Sequence, residues 1–357
     1  MEPIQSYVSE PGRADRSYPV GESGQSRPAS PGRSGAVDFL RVLGIVAVVA
    51  GHVAAWGGPL TREMLYTWHV PLFFFLSGYF WSANRTLKSE ITNRTKSLLV
   101  PYLFWLVVVG AWWIAQLDVI GPSTFSRLLQ GGSRLTGPFA AFWFVTALFV
   151  TVVLLRAMQR FPLVLQWAAA LAALAVTYAD SALVARIPLA AGVGCTCLVF
   201  VLAGRAFKRL RSRVERPLIT GTLLLLGSAA ATMAGWSSYL DLKSAKLGVP
   251  VVTVVVAVAI CAGMVLTTEA LIPLAGARFA AGVSMLARCG LLVVLTHALL
   301  LAVLVQLNAD TWTVFAGSLV VPWLVAVLVF RTPLSPLMLG TPKAGKPRST
   351  RSAMLSH

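Results

Sequence analysis

Long apolar segments alternate with short polar ones along most of the chain. From residue 37 onward there are ten apolar stretches of about 17 to 23 residues, the length that an α-helix needs to cross the hydrocarbon core of a bilayer. The pattern therefore predicts an all-α fold, a polytopic membrane helix bundle with about ten transmembrane helices. The approximate limits of these spans are 38–57, 64–83, 98–117, 140–157, 162–179, 188–204, 217–236, 247–268, 284–306 and 311–330.

The composition agrees with a membrane protein. Hydrophobic residues make up 57% of the chain and charged residues only 12%, with a mean hydropathy of +0.75, whereas a soluble domain carries about 25% charged residues. The net charge of +17 could indicate nucleic acid, but the basic residues lie between the spans rather than within a soluble fold. We therefore expect membrane lipid as a partner, and no nucleic acid.

The distribution of Lys and Arg predicts the orientation in the membrane. If the N-terminus is cytoplasmic, all but six of the 30 Lys and Arg residues fall on the cytoplasmic side, as the positive-inside rule requires. Omitting one span would place the basic cluster 205–216 outside. Both termini are therefore predicted to be cytoplasmic. The six exceptions are Arg62, Arg127, Arg134, Arg186, Lys243 and Lys246.

Three regions are predicted along the chain. Residues 1–36 are rich in Ser, Pro, Gly and Arg and are expected to form a disordered cytoplasmic tail. Residues 37–332 form the membrane domain, and residues 333–357 a basic cytoplasmic tail. The outside loops 118–139 and 237–246 could hold structure, the first as a cap, but neither resembles a folded domain, so any activity is expected within the bundle.

The four cysteines indicate neither a disulfide nor a metal site. All fall in apolar runs without a neighbouring His, which is typical of small buried side chains. No metal is expected. These residues are Cys195, Cys197, Cys261 and Cys289.

The first span carries ionisable residues at membrane depth, which usually have a function. Asp38 and Arg41 lie at its start, and His52 lies eleven residues after Arg41. This spacing places Arg41 and His52 on nearly the same helix face, about 16 Å apart along the axis. A guanidinium suits phosphate binding, and an imidazole suits proton transfer near neutral pH.

Two further histidines lie at a comparable predicted depth in the outer half of the bilayer. His69 is in the second span and His297 is in the ninth, so all three imidazoles could share one polar cavity. The alternative is that each is a core histidine bonded to a backbone carbonyl, which Pro71 favours for His69 because a helix kink frees such a carbonyl.

Several motifs carry a resemblance to a known family. They are Asp38-x-x-Arg41 with His52 after ten further residues, HVPLFFFLSGYF from His69, RTKSLLVPYLFW from Arg94, FWFVTALF from Phe142 and a weaker LTH ending at His297. Over about residues 37–339 the chain resembles the acyltransferase-3 family of integral membrane acyltransferases, in particular its shorter sugar O-acetyltransferase branch.

The resemblance implies a ten-helix enzyme of the bacterial cytoplasmic (inner) membrane. Its expected reaction moves an acyl group, with acetyl the specific expectation, from cytoplasmic acyl-CoA to a hydroxyl of a carbohydrate or glycolipid acceptor. It implies catalytic and donor-binding roles for His52 and Arg41, and we expect Asp38 to hold Arg41. The chain departs from the longer branch in lacking a Glu near Trp143 and an esterase-like domain after the last span, which leaves the acceptor open.

The remaining candidate residues fall into two groups. Arg94 and Lys96 could bind CoA phosphates at the cytoplasmic mouth, whereas His69, Trp143, His297 and Ser77 could line the acceptor side. Each has a structural alternative: topology charges for the basic pair, packing for Trp143, a close helix contact at Ser77-Gly78 and an interfacial ion pair at Asp38 and Arg41.

Two other functions remain open on the sequence. Buried His and Arg side chains could form the ion path of a proton-coupled transporter or flippase for a glycan or lipid substrate. Such a protein should show two corresponding halves, and no convincing internal repeat is present. A non-catalytic membrane scaffold is the third possibility, and acyl-CoA binding would count against it.

Overall fold

A computed structural model describes residues 35–343 of the chain. This part of the protein contains no β-strand, and its one isolated β-bridge joins Asp241 to Lys246. The prediction of an all-α fold is confirmed. Most of the predicted tails, 1–36 and 333–357, lies outside the described residues, so the predicted domain limits remain predictions.

Sixteen α-helices form the described part. The first eight are α1 Gly35–His52, α2 Pro59–Tyr66, α3 His69–Tyr79, α4 Leu87–Arg94, α5 Val100–Ile114, α6 Pro122–Gln130, α7 Phe142–Met158 and α8 Leu163–Ala179. The others are α9 Ser181–Arg186, α10 Ala191–Thr196, α11 Leu198–Leu210, α12 Pro217–Met233, α13 Val252–Leu271, α14 Gly276–Gln306, α15 Thr311–Phe330 and α16 Ser335–Met338.

These helices overlap all ten predicted spans, but fewer are long enough to cross a membrane unaided. Within residues 35–343, five helical stretches are long and apolar enough to cross a membrane. Two further helical stretches, Pro188–Thr196 and Leu198–Arg213, meet at a bend of 43° and would make a sixth span if they are counted together. The protein is an integral membrane protein by this measure. The number ten and the orientation of the termini stay predictions. The five stretches are Gly35–His52, Leu87–Ile114, Gly137–Met158, Val252–Gln306 and Thr311–Phe330.

Glycine allows α3 and α11 to cross at backbone contact. A Cβ atom at Gly78 would lie 1.8 Å from the carbonyl oxygen of Val201, and one at Gly204 would lie 1.9 Å from that of Phe75. No side chain fits either position, since small residues are what lets membrane helices approach this closely. The crossing fixes α3, and with it His69 at the other end of this helix.

Helix α1 lies at the centre of the bundle, where it packs against α3, α13 and α14. The contact with α14 is close at Gly290, where a Cβ atom would lie 2.3 Å from Cδ1 of Ile45. Because α1 is helical from Gly35 to His52 without a break, the predicted spacing of its ionisable residues is preserved.

Two segments outside the spans pack onto the bundle. The connection 118–139 contains α6 and contributes Leu135 and Phe139 to the core. At the other end of the chain, the indole Nε1 of Trp105 donates a hydrogen bond of 3.0 Å to the carbonyl of Met338. The start of the predicted C-terminal tail is therefore docked against α5.

Candidate active site

A cavity of about 330 Å³ opens at the end of the bundle where α1 terminates, here called the His52 end. Helices α1, α2 and α3, the start of α7, the connection between α12 and α13, and α14 through Val294 surround it. Its volume is at the lower end of the range of small-molecule sites. The polar and aromatic lining comprises His52, Arg62, Tyr66, His69, Trp143 and residues 239–244.

Backbone carbonyls fix the ring orientation of both histidines in the cavity. Nδ1 of His52 lies 2.7 Å from the carbonyl oxygen of Val48, and Nδ1 of His69 lies 2.6 Å from that of Leu65. A carbonyl oxygen only accepts, so Nδ1 carries the hydrogen in each ring and Nε2 of the neutral ring keeps a lone pair. Each ring is therefore held in the tautomer that a general base requires.

Tyr66 joins α1, α2 and α3 beside this pair. Its hydroxyl donates a hydrogen bond of 2.9 Å to the carbonyl of Gly51, and its ring meets that of His69 edge-on at 4.9 Å. Tyr66 therefore fixes the ends of the two His-bearing helices relative to each other.

His297 lies behind His52 and does not line the cavity. It is fully buried on α14, and its ring meets that of His52 edge-on with 5.1 Å between centroids. Its Nδ1 is 3.0 Å from the carbonyl oxygen of Val293. We expected His297 to line the acceptor side, but the residue of α14 that lines the cavity is Val294, and His297 packs against the ring of His52 instead.

The connection between α12 and α13, residues 234–251, forms one wall of the cavity and is called the cavity loop below. Paired backbone hydrogen bonds between Asp241 and Lys246 close it into a turn. Lys243 lines the cavity from this turn, and its Nζ donates a hydrogen bond of 2.6 Å to the carbonyl of Leu135. Burial lowers the pKa of the Lys243 ammonium, and the Asp241 carboxylate opposes that shift.

Sequence reasoning missed this wall. It assigned Lys243 only to the few basic residues outside the membrane, and it did not single out Asp241 or Tyr66 at all. The contact between Lys243 and Leu135 joins residues 108 positions apart, so no local spacing could have indicated it. The one usable signal in the sequence was that Lys243 is among the few basic residues predicted on the outer side of the membrane, where the positive-inside rule disfavours them.

Asp38 and Arg41 lie at the opposite end of α1, here called the Arg41 end. Asp38 is fully buried, and its carboxylate accepts hydrogen bonds from Nη1 of Arg41 at 2.9 Å and from the hydroxyl of Ser284 at 2.7 Å. Arg41 is about one-third exposed, at 32%, and its guanidinium lies 5.9 Å from the ring centroid of Phe80. Asp38 thus holds Arg41 at this end of α1 with part of its side chain exposed.

A second charged cluster at the Arg41 end centres on Glu90, which sequence reasoning did not single out. Its buried carboxylate pairs with Arg94 at 2.8 Å and with Arg156 at 2.8 Å. The Arg156 guanidinium also stacks 3.9 Å from the ring centroid of Trp81. The cluster ties the end of α7 to α4, and so it orients Arg94.

The other predicted residues fall into three situations. Lys96 is exposed in a π-helical turn, Thr95–Leu99, that links α4 to α5. Trp143 is buried and lines the cavity. Ser77 does not reach the cavity, because its hydroxyl donates to the carbonyl of Phe73 one turn earlier and its neighbour Gly78 packs against α11. We expected Ser77 to line the acceptor side, but it is not among the residues that line the cavity.

A comparison with protein families identifies the chain. The family model described as an acyltransferase domain matches residues 34–338. The chain belongs to this acyltransferase family. The acyltransferase domain thus includes both ends of α1, the histidines His52, His69 and His297, and the cavity loop.

Two curated relatives match part of the acyltransferase domain. Nodulation protein NolL of Mesorhizobium japonicum is 30% identical over 158 residues, and nodulation protein NolL of Sinorhizobium fredii is 26% identical over 162 residues. The matches cover 40% and 42% of this chain, and 40% and 43% of the relatives. The chain therefore spans less than half the length of the curated relatives it matches. No solved structure matches it.

Proposed function

We propose that the protein is an O-acyltransferase of the bacterial cytoplasmic membrane. It transfers an acyl group, specifically acetyl, from cytoplasmic acyl-CoA to a hydroxyl group of a carbohydrate or glycolipid acceptor. The observation that carries this proposal is the two-ended arrangement of α1. One end presents Arg41 and the other presents His52 in a polar cavity, about 16 Å further along the axis.

Arg41 is the donor-binding group in this proposal. A guanidinium stays charged when partly buried and binds phosphate oxygens in a bidentate manner. CoA carries its phosphates at one end of a long flexible arm and its thioester at the other, so phosphate-binding and reacting groups should be well separated. Arg94, oriented by Glu90, and the exposed Lys96 supply further positive charge at the same end.

His52 is the general base. Its Nε2 removes the proton from the acceptor hydroxyl as the oxygen attacks the thioester carbonyl, and a C–O bond forms. The tetrahedral intermediate collapses by breaking the C–S bond, and the proton on His52 passes to the departing thiolate. The products are the acyl ester and free CoA thiol.

The cavity wall opposite His52 suits a polyhydroxylated acceptor. Trp143, Tyr66 and Tyr239 offer aromatic surface, whereas Asp241 and Lys243 offer an acceptor and a donor of hydrogen bonds. Lys243 lines the same cavity as His52. It is placed to stabilise negative charge that develops at the reacting carbonyl.

Release of free thiol from acetyl-CoA, measured with the purified full-length chain in liposomes across a set of sugar acceptors, tests this proposal. Acceptor-stimulated release supports an acyltransferase. A transporter would instead move solute across the liposome membrane without consuming acetyl-CoA. Absence of both binding and release for several acyl-CoAs would overturn the acyltransferase proposal in favour of transport.

A further inference from the structure

His297 contains a buried hydrogen-bonding atom for which the described residues supply no partner. Its Nδ1 is committed to the Val293 carbonyl, so its Nε2 carries a lone pair, and that atom is inaccessible and unbonded. An unsatisfied buried acceptor destabilises a fold, and most buried polar atoms in proteins have a partner. A leucine would fill the same space without this cost.

The aromatic neighbour of His297 is the residue to which we assign the chemistry. The ring of His52, which lines the cavity, meets the ring of His297 with 5.1 Å between the two centroids and 71° between the two planes. The other ionisable groups around His52 lie on the cavity side: His69 and Tyr66 from α3 and α2, and Asp241 and Lys243 from the cavity loop. His297 therefore contacts His52 from α14 and is not itself among the residues that line the cavity.

We propose that His297 is a positioning residue for the reaction of His52. The proposal rests on the acyltransferase function above. When His52 takes the acceptor proton, its ring becomes positively charged, and the lone pair on Nε2 of the neutral His297 stabilises that charge. No bond to His297 forms or breaks, and the proton still leaves from His52 to the departing thiolate.

This arrangement explains why an unpartnered hydrogen-bond acceptor, Nε2 of His297, would be retained in spite of its cost to stability. In the resting state both rings are neutral and the interaction is weak. In the transition state His52 is cationic, and hydrogen bonds or close dipoles to a charged group are worth more than those between neutral groups. His297 therefore acts where charge develops, and should affect turnover more than binding.

Two substitutions of His297 separate this role from simple packing. His297→Leu preserves much of the volume and removes the acceptor atom, whereas His297→Gln restores an acceptor oxygen. Thr296→Val serves as the matched control on the same turn of α14, because Thr296 is also buried and bonds only to its own helix, at the Leu292 carbonyl. Melting temperature in detergent is measured for all three variants and the wild type.

The experiment measures kcat and KM for acetyl-CoA-dependent thiol release. His297→Leu should lower kcat about 10- to 100-fold with KM for acetyl-CoA unchanged, His297→Gln should recover part of that loss, and Thr296→Val should match wild type. Equal kcat for the Leu and Gln variants, or full turnover by His297→Leu, would overturn the positioning role while leaving the acyltransferase function intact. An inactive wild type would instead refute both proposals.

Discussion

Lys243 donates a hydrogen bond of 2.6 Å to the carbonyl of Leu135, which joins the cavity loop to the connection that follows α6. The bond holds a cationic side chain in the wall of the cavity that contains His52. Two segments that lie far apart in sequence thus complete the cavity to which the first helix contributes His52, the proposed base.

Replacing Lys243 should impair use of the acceptor more than binding of the donor. Lys243→Met removes the ammonium from the cavity wall, and we expect kcat/KM for the acceptor to fall about tenfold while KM for acetyl-CoA is unchanged. The fall in kcat/KM should be smaller for Lys243→Arg, which keeps the charge. Lys246→Met is the matched control, since its side chain is exposed and its bridge to Asp241 uses backbone atoms. A loss of equal size in the control would contradict this role.

Asp241 should set the pH at which Lys243 loses its proton. Its carboxylate raises the pKa of the Lys243 ammonium against the effect of burial, so Asp241→Asn lowers that pKa. Lys243 then becomes neutral at a lower pH, and the alkaline limb of kcat/KM for the acceptor should move to lower pH. The exposed Asp118 provides the control Asp118→Asn. If the alkaline limb of Asp241→Asn is unchanged or moves to higher pH, Asp241 does not raise the pKa of Lys243 in the way proposed.

Arg41 should govern affinity for the donor. Arg41→Gln removes the charge that Asp38 holds in place, and we expect KM for acetyl-CoA to rise about 10- to 100-fold, with a smaller rise for Arg41→Lys because Lys cannot bind in a bidentate manner. Arg186→Gln is a suitable control, since Arg186 is an exposed arginine at the end of α9. An unchanged KM in Arg41→Gln would show that the donor binds elsewhere.

The crossing of α3 and α11 predicts a stability effect with an internal control. A methyl group at Gly78 would collide with the Val201 carbonyl, so Gly78→Ala should destabilise the protein by at least about 2 kcal/mol through overpacking. Gly227, inside α12, has open space where a Cβ would lie, so Gly227→Ala should be neutral or stabilising. Thermal unfolding in detergent compares the two. A Gly78→Ala protein as stable as Gly227→Ala would refute the close crossing.

The sequence was informative where the relevant residues share one helix. Asp38, Arg41 and His52 could be placed relative to one another because α1 is regular and its rise per residue is constant. The helical class followed from apolar length in the same way. The motif resemblance to acyltransferases also holds, since the family match includes all of these residues.

What the sequence could not predict depends on packing between distant segments. The packing of His297 against His52 joins α14 to α1, a contact that neither helix indicates by itself. The pairing of Glu90 with Arg156 joins residues 66 positions apart, and neither residue was singled out as a partner of the other from the sequence. The wall of the cavity opposite His52, likewise, is formed by the cavity loop, which is distant from His52 in the sequence.

The central claim is that His52 is the base for acyl transfer, and its most direct test is acceptor-dependent thiol release by His52→Ala in liposomes. The variant should retain acetyl-CoA binding and the thermal stability of wild type, while turnover falls by about 100-fold or more. Full turnover by a folded His52→Ala protein would contradict the account.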